Sequence, residues 1–471
     1  MLKLSRWRLP GLKIMNNELP ISDVNRRGFI KGGSMASLMT MMGGVLLTRP
    51  RAQAADAEPP KKPTNPPIEC GVIGCGSRGR EILQQLARLP NAPVVAVADH
   101  NEAATRRGKK DAPEAKTYGD YKELLADKGV KAVFIATPTH THKEIAIAAL
   151  AAGKQVYCEA PLAHKIDDAR DIAKAAIKHP KSYFQAGLQL RSDPELLNVQ
   201  SFISAGAMGR TIEARSQYHK KTSWRKGAAD PEREKELNWR LDKNLSIGLI
   251  GEEGIHQVDQ AIWFLKRHPI AVTGYSSLIQ WTDGREVPDT VGAVFEFPEG
   301  LRMYYDGTLA NSFDGEYDMF YGTDATIMLR DRKAWMFRET DSPLLGWEVY
   351  ARKETFYKES GIVLASNATK LVAQGETGQK SPLLEFSSLY YALEAFLNNA
   401  FLHSRAVKDF TETYGEGDAD ALREYLVDIE KLKMDASDYK AGFEATALAI
   451  KANEAIVKKQ RIELDKDMFK I

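Results

Sequence analysis

The chain of 471 residues is too long for one hydrophobic core, and its composition, 43% hydrophobic and 27% charged, is that of a globular protein of about two domains. The formal net charge is +2, but the first 54 residues carry nine basic and two acidic side chains, which leaves −5 for the rest (+2 less +7). A mildly acidic main body without a basic cluster argues against nucleic-acid binding.

The N-terminal segment is typical of an export signal. Arg26 and Arg27 precede an apolar run at 32–48, and small residues follow at 52–54. The arrangement resembles a twin-arginine signal peptide over residues 1–54, which predicts periplasmic export through the twin-arginine machinery. The apolar run is short for a membrane span of about 20 residues and holds four glycines, so we expect no stable membrane span.

The three cysteines, at positions 70, 75 and 158, match no metal-binding or redox spacing. A protein that folds in the reducing cytoplasm before export cannot rely on disulfides. We therefore expect buried structural thiols and no metal site.

From Ile68 onward, apolar stretches of strand length alternate with helical patterns, after a linker rich in proline and charge at 55–67. The predicted strands lie at 69–74, 93–99, 131–137, 155–159 and 182–187, and the predicted helices at 80–89, 121–127, 143–153 and 168–178. Such alternation predicts an α/β fold, with a parallel sheet covered by helices on both faces, for a Rossmann domain at residues 68–187.

After Gly187, long strand-like stretches follow one another closely, with helical patterns at the end of the chain. The predicted strands lie at 211–219, 271–281, 290–300, 301–310 and 325–337, and the predicted helices at 383–402 and 441–459. The pattern predicts a second α/β domain, residues 188–471, built on a large and mostly antiparallel open sheet.

A glycine loop with the spacing Gly-x-Gly-x-x-Gly joins the first predicted strand to the first helix. Gly74, Gly76 and Gly79 allow a tight turn and close approach of the backbone to a pyrophosphate at the helix N-terminus. Asp99 ends the second strand, where a carboxylate accepts hydrogen bonds from the adenosine ribose and repels a 2′-phosphate. NAD is the expected cofactor, with NADP kept open by an arginine pair nearby, and a helix cap is the alternative role for Asp99.

Three stretches together resemble one family: the glycine loop, "ATPTHTHKEIAIAALAAGKQVYCEAPLA" at 136–163, and "GLIGEEGIHQVDQAIWFL" at 248–265. They are similar to the glucose-fructose oxidoreductase, inositol dehydrogenase and rhizopine-catabolism family, written Gfo/Idh/MocA. The resemblance implies a nucleotide-binding domain followed by a domain whose open sheet carries the substrate site and often an oligomer interface. It also implies a cofactor site formed by Gly74, Gly76, Ser77, Arg78, Gly79, Asp99, Thr137, Pro138, His142, Glu159 and Pro161.

One departure from the family pattern concerns its Glu-Lys-Pro motif, because Ala160 stands here between Glu159 and Pro161. In typical members the lysine approaches the nicotinamide ribose and the reacting hydroxyl. Three explanations for the missing lysine stay open. Another group supplies the cation, the reaction does not need a cation, or the chain is no longer a dehydrogenase.

The remaining site residues follow from the same resemblance. Members carry an Asp and a His four residues apart on one helix, and Glu252 and His256 have that spacing. We expect His256 to take the hydroxyl proton and Glu252 to orient or charge its imidazole, with Glu253 competing for that role. The candidate substrate residues are Lys220, Trp239, Arg240 and Asp259.

These features predict an NAD(P)-dependent oxidoreductase that acts on a hydroxyl of a sugar or glycoside. Free NAD is not expected outside the cytoplasm, so the cofactor would be tightly bound and recycled in place. Two alternatives stay open: a redox-neutral, NAD-dependent glycosidase that works by oxidation and elimination, and a binding protein that retains the nucleotide without turnover. A homo-oligomer formed through the C-terminal sheet is a further expectation.

Overall fold

The computed structural model describes residues 65–346, 348, 353–356, 359–364, 386–416 and 418–471. The predicted signal peptide and most of the predicted linker lie outside these residues. None of the helices within the described ranges combines the length and the apolar character that crossing a membrane requires.

The first sheet consists of six short parallel strands. They are β1 (Cys70–Ile73), β2 (Val94–Ala98), β3 (Lys116–Tyr118), β4 (Ala132–Ile135), β5 (Gln155–Cys158) and β6 (Phe184–Ala186). Their spatial order is β3-β2-β1-β4-β5-β6, and every neighbouring pair is parallel. The chain changes direction across the sheet between β1 and β4, which is where open α/β sheets bind ligands at the carboxyl ends of their strands.

Five helices connect these strands. They are α1 (Ser77–Leu86), α2 (Glu102–Asp111), α3 (Tyr121–Ala126), α4 (His142–Ala151) and α5 (Ile166–Lys178). Strands β1, β4 and β5 are buried along their whole length, which explains their continuous apolar runs and confirms the predicted Rossmann fold. The sequence pattern missed α2 because most of its side chains are polar or charged and only three residues are buried.

The second sheet has ten strands. They are β7 (Thr211–His219), β8 (Ala271–Ser277), β9 (Thr290–Glu296), β10 (Arg302–Thr308), β11 (Glu316–Gly322), β12 (Ala325–Arg330), β13 (Lys333–Arg338), β14 (Lys353–Phe356), β15 (Glu359–Val363) and β16 (Arg461–Glu463). Their order is β14-β15-β13-β12-β11-β7-β10-β9-β8-β16, and only the β7–β10 pair is parallel. The mostly antiparallel open sheet is therefore confirmed. The strand predicted at 325–337 is two strands, because Asp331 and Arg332 adopt left-handed conformations that turn the chain back.

Seven more helices complete the described fold. They are α6 (Pro194–Ser204), α7 (Pro231–Leu237), α8 (Gly248–Glu252), α9 (Ile255–Leu265), α10 (Ser388–Tyr414), α11 (Ala419–Ile429) and α12 (Tyr439–Lys458). Short 3₁₀ turns lie at Thr139–Thr141, Gln189–Ser192, Trp239–Leu241, Pro298–Gly300, Glu430–Leu432 and Lys466–Phe469.

Helix α10 covers the first sheet, although the sequence assigns it to the second domain. Its residues Leu389, Leu393 and Phe396 share one hydrophobic core with Val72 and Phe134 of β1 and β4. The C-terminal part of the chain therefore returns to complete the first core.

Helix α12 packs between the two sheets. Phe443 and Ala447 belong to the core of the first sheet, and Leu448 and Ala452 to the core of the second. One amphipathic helix thus fixes the two sheets to each other, with the carboxyl ends of the parallel strands left open beside them.

Candidate functional site

A cleft of about 1260 Å³ lies at the carboxyl ends of the parallel strands. The loops after β1, β2, β4 and β5 line one wall, and the end of β7 with α8 and α9 lines the other. The cleft therefore lies where the strand order places a ligand site.

Two glycines of the loop after β1 are required by the fold itself. Gly74 has a φ of +93°, and a Cβ there would lie 2.7 Å from the carbonyl oxygen of Ala136. A Cβ at Gly79 would lie 1.8 Å from the carbonyl oxygen of Gly74. Gly79 lies outside the cleft lining, so its part in the predicted cofactor site is to let α1 pack closely against the loop.

Gly76 leaves room for a ligand. A Cβ there would meet nothing within 4 Å, and its backbone points into the open cleft. The first turn of α1, which begins at Ser77, has no acidic residue and no side-chain cap, so its N–H groups are available to an anion. The loop thus fits the diphosphate of a dinucleotide.

Asp99 fixes the glycine loop and also faces the cleft. Its Oδ2 accepts a hydrogen bond from the Cys75 N–H at 2.8 Å, and its Oδ1 accepts one from the Asn101 N–H at 2.8 Å. The N-cap of α2 is Asn101, which accepts from the Ala104 N–H, so Asp99 is not the helix cap. A carboxylate accepts more than two hydrogen bonds, and Asp99 keeps capacity for ribose hydroxyls.

The loop after β4 contributes Thr137 and Pro138 to the lining, as predicted. His142 lines the cleft as well, but its ring nitrogens face the backbone: Nδ1 lies 2.9 Å from the carbonyl oxygen of Pro161 and Nε2 lies 2.9 Å from that of Thr137. Burial lowers the pKa of His142 to about 4, although the two carbonyl oxygens oppose that fall. A neutral ring has one N–H, so it donates to one of the two carbonyl oxygens. Pro161 is buried and does not line the cleft, contrary to the prediction.

Arg78 supplies a cation beside Ala160. Its Nε lies 3.1 Å from Glu159 Oε1, and its Nη2 donates a hydrogen bond to Gln189 Oε1 at 2.8 Å. Burial raises the pKa of Glu159, and the charge of Arg78 opposes that rise. The Nη1 of Arg78 also pairs with Glu81 Oε2 at 2.9 Å, so the cleft wall holds a guanidinium paired with two carboxylates near the position where the family pattern has lysine.

Glu252 and His256 do not lie on one helix. Helix α8 ends at Glu252, and α9 begins at Ile255. The two residues lie on successive helices, so the prediction that they share one helix is wrong. Both residues line the cleft.

The partners of Glu252 show what this carboxyl does. Thr139 Oγ1 donates to its Oε2 at 3.2 Å, and Arg240 Nε lies 3.6 Å from the same oxygen. Burial raises the pKa of Glu252 to about 6. Glu252 therefore links the loop after β4 to Arg240. Its hydrogen bonds among the described residues do not include one to the imidazole of His256.

His256 keeps a buried Nδ1 without a hydrogen-bond partner among the described residues. Burial, together with the charge of Arg78, lowers the pKa of His256 to about 4. The ring is neutral at pH 7, and the residue lines the cleft.

A second carboxyl, that of Glu253, faces the same space. It hydrogen-bonds the hydroxyl of Tyr218, and Glu316 lies close enough to affect it electrostatically. Burial raises the pKa of both carboxyls, and Lys220 opposes the rise in each. This wall therefore combines two carboxyls, a phenol and an ammonium group.

Three of the four predicted substrate residues line the cleft, namely Lys220, Trp239 and Arg240. The guanidinium of Arg240 lies 4.6 Å from the centre of the Trp239 ring. Successive side chains of a strand point to opposite faces, which places Tyr218 and Lys220 together. Both line the cleft, while His219 pairs with Asp306 on the opposite face of the sheet.

Asp259 is not a substrate residue in this structure. Its carboxylate is buried, lies outside the cleft lining, and accepts hydrogen bonds from Arg191 Nε at 2.9 Å and from Nη2 at 2.8 Å. The pair joins α9 to the turn at Gln189–Ser192, so the prediction is corrected to a structural role.

Several cleft residues were missed by sequence reasoning: Gln189, Tyr218, Lys226 and Glu316. The alternation along β7 already placed Tyr218 beside Lys220 and was the available signal. Glu316 begins β11, a strand that the pattern did not reveal. Lys226 lies in a loop, and no local pattern identifies it.

The cysteines are buried free thiols, as the sequence predicts. Burial raises the pKa of Cys75 to about 12, which keeps it protonated. Within the described part of the chain, no group of three side chains is arranged to hold a metal ion.

Comparison with known proteins gives two family matches. Residues 68–187 match the model described as an oxidoreductase family with an NAD-binding Rossmann fold, and residues 196–328 match the GFO/IDH/MocA C-terminal domain.

Curated relatives align with part of the chain. An inositol 2-dehydrogenase of Saccharopolyspora erythraea is 28% identical over 235 residues, which is 50% of this chain and 64% of the relative. A levoglucosan dehydrogenase of Pseudarthrobacter phenanthrenivorans is 30% identical over 203 residues, 41% of this chain and 50% of the relative. The chain thus matches between half and two thirds of the length of these relatives.

A solved structure of levoglucosan dehydrogenase in complex with NADH and L-sorbose superimposes with a TM-score of 0.62. The likeness covers 85% of this chain and 99% of that one at 17% identity, which supports a shared fold.

Proposed function

Because the chain belongs to the Gfo/Idh/MocA family of oxidoreductases, we propose that it interconverts a secondary hydroxyl and a ketone on a sugar or glycoside. The first sheet and its glycine loop form the NAD-binding Rossmann domain of this family. One observation carries the proposal: a single cleft holds the glycine loop and Asp99 together with Arg78, Glu253 and His256.

The substrate class follows from the far wall of the cleft. Trp239, with Arg240 stacked on its ring, forms part of this wall, and the charged groups of Lys220, Arg240 and Glu253 suit a ligand rich in hydroxyls. The named activities of the relatives, on inositol and levoglucosan, concern ring compounds with several hydroxyls and support the same class.

The chemistry divides between cofactor and protein. NAD, when bound, accepts the hydride of the carbinol carbon. His256 is neutral and lines the cleft, so its unprotonated ring nitrogen accepts the proton of the hydroxyl. Glu253 is the alternative acceptor, because burial raises the pKa of its carboxyl and it lies on the same wall.

Arg78 has an electrostatic role in this scheme. Its guanidinium, held by Glu159 and Gln189, stabilises negative charge that develops on the substrate oxygen. It replaces the charge of a lysine at Ala160 without being a proton acceptor, since a guanidinium stays protonated. The positive charge of Arg78 also contributes to the low pKa of His256, so a change at Arg78 would affect the proposed base as well.

Export and assembly belong to the proposal as well. We expect the twin-arginine segment to deliver a folded protein with its cofactor bound, and a sugar or carbonyl acceptor to regenerate that cofactor in place. The open face of the second sheet carries Tyr275 and Tyr304, both exposed, as well as Arg215 stacked on Tyr321. Aromatic and arginine side chains are typical of protein interfaces, and we expect a homo-oligomer through this face.

A panel of sugars, polyols and glycosides tests the function. We expect nicotinamide reduction, or a keto product when an acceptor is added, and loss of both in His256→Ala. His268→Ala is the matched control, because His268 is partly exposed and pairs with Glu444 outside the cleft. Full activity of His256→Ala would remove the assignment of the base. Release of free sugar without a keto product would contradict the oxidoreductase.

A further inference from the structure

Residues 226–236, here called the crossing segment, run from the second sheet across the mouth of the cleft. They contact the first domain at two places. Lys226 Nζ lies 3.4 Å from Ser77 Oγ on the glycine loop, and Glu236 Oε2 lies 3.3 Å from His100 Nε2 after β2. These two contacts lie above the parts of the cleft that fit a diphosphate and an adenosine ribose.

A buried amide holds the start of this segment in place. Asn238 accepts a hydrogen bond from the Lys226 N–H at 2.8 Å and donates one to the Lys226 carbonyl oxygen at 2.8 Å. It donates a further hydrogen bond to the Glu234 carbonyl oxygen at 2.8 Å. The backbone of Lys226 is therefore fixed, and its side chain extends toward Ser77.

Within the described part of the chain, Lys226 lacks a counter-ion, whereas Arg233 pairs with Glu236 at 2.7 Å and Arg240 lies 3.6 Å from Glu252. No carboxylate forms an ion pair with Lys226 among the described residues, and the nearby charges that affect it are Arg107, Arg233 and Arg240. Burial and these cations lower the pKa of Lys226. The N-terminus of α1, below it, is also positive. An anion is the group that this arrangement is missing.

We propose that Lys226 donates a hydrogen bond to the diphosphate of the bound dinucleotide, and that the crossing segment lies over the cofactor and slows its release. This inference rests on the proposed function, since NAD is the ligand. It adds a cofactor contact from the second sheet and gives a physical reason for retention: the dinucleotide leaves only after the segment moves.

Cofactor exchange tests the inference without an activity assay. The purified full chain is loaded with NADH and mixed with excess NAD, and the loss of bound NADH fluorescence gives the dissociation rate. We expect Lys226→Gln to speed dissociation and to weaken NADH and ADP binding by roughly 10- to 100-fold, the range for one charge-assisted hydrogen bond. Adenosine, which has no phosphate, should bind equally to both proteins.

Matched variants separate the charge from the fold. Lys243→Gln removes a lysine that pairs with Glu286 outside the cleft, and it should leave all rates unchanged. Asn238→Ala removes the hydrogen bonds that hold the crossing segment but keeps the charge of Lys226. It should therefore raise the rate of NADH release by a larger factor than it raises the dissociation constant of ADP. Thermal unfolding checks that each variant is folded.

The outcomes distinguish this inference from the proposed function. If the unmodified chain binds NADH but Lys226→Gln binds and releases it identically, the inference is overturned and the function stands. Equal losses for adenosine and ADP would also overturn it, since the effect would not come from phosphate. If the unmodified chain binds no NADH, the proposed function fails and takes the inference with it.

Discussion

Arg78 Nε lies 3.1 Å from Glu159 Oε1, and the pair places a guanidinium beside Ala160 on the wall of the cleft. The charge of Arg78 reaches His256 as well, where it lowers the pKa of the imidazole. Arg78 therefore links the glycine loop, the altered Glu-Ala-Pro motif and the proposed base.

Replacing this arginine should change both rate and titration. We expect Arg78→Gln to slow hydride transfer by about 100-fold, the usual effect of losing one electrostatic donor to a developing oxyanion. The pKa of His256 should rise from about 4 toward its ordinary value, because a neighbouring positive charge is removed. The acidic limb of the pH profile then moves to higher pH, since the base is protonated earlier.

Single-turnover kinetics and an NMR titration of the imidazole measure these two effects. Arg106→Gln is the control, because Arg106 is exposed and pairs only with Glu102 on the surface of α2. An unchanged His256 titration in Arg78→Gln would contradict the coupling between the two residues.

The glycine loop predicts a contrast between two equally small changes. Gly76→Ala places its methyl group in open space, so the fold should keep its stability while NADH affinity falls at least about tenfold. Gly79→Ala places a methyl group 1.8 Å from the Gly74 carbonyl oxygen, which should lower the free energy of unfolding by about 3 kcal/mol or more. Denaturant unfolding and NADH fluorescence titration separate the two effects, and a stable Gly79→Ala protein would show that the loop is less constrained than described.

The buried pair of Arg191 and Asp259 should stabilise the fold rather than the reaction. Asp259→Asn leaves a partly buried guanidinium without its counter-charge, which costs about 3–5 kcal/mol of unfolding free energy. Asp409→Asn breaks an exposed pair with Arg405 and should cost less than about 1 kcal/mol. If Asp259→Asn raised KM strongly and left the stability unchanged, Asp259 would have a role in substrate binding and not in the stability of the fold.

Most of the first domain can be predicted from the sequence, because the features that define its strands and its glycine loop are local. Strands β1, β4 and β5 are buried on both faces, so each reads as an apolar run next to a turn. Strand β3 was missed, since it is exposed at the sheet edge and only three residues long. The glycine loop was found for a related reason, because its backbone geometry demands glycine.

The geometry of the far wall depends on tertiary contacts that no local pattern records. The spacing of Glu252 and His256 predicts one helix through both residues. In the structure, one helix ends at Glu252 and the next begins at Ile255, after Gly254. A Cβ at that glycine would lie 2.7 Å from the hydroxyl of Tyr305, a residue of β10. Close packing against a strand 50 residues away thus accompanies the break between the two helices, and both Glu252 and Glu253 line the cleft.

A carboxyl inside the second sheet should make stability depend on pH. Asp318 of β11 is buried opposite Ser216 of β7, whose Oγ donates to it at 2.5 Å. Burial raises the pKa of Asp318 to about 7, far above its value of 3.8 in an unfolded chain. The folded protein therefore holds a proton that the unfolded chain releases, and stability falls as the pH rises from about 4 to about 7.

Asp318→Asn removes this titration while keeping a side chain of similar shape. The variant should match the original protein near pH 4 and exceed it above pH 7, by up to about 4 kcal/mol of unfolding free energy for a shift of this size. Urea unfolding at several pH values measures the difference, with Asp409→Asn, which removes an exposed carboxyl, as the control. The difference in unfolding free energy between Asp318→Asn and the original protein should grow with pH. If it did not, the buried carboxyl would be ionised in the folded sheet, and a group other than a bound proton would balance its charge.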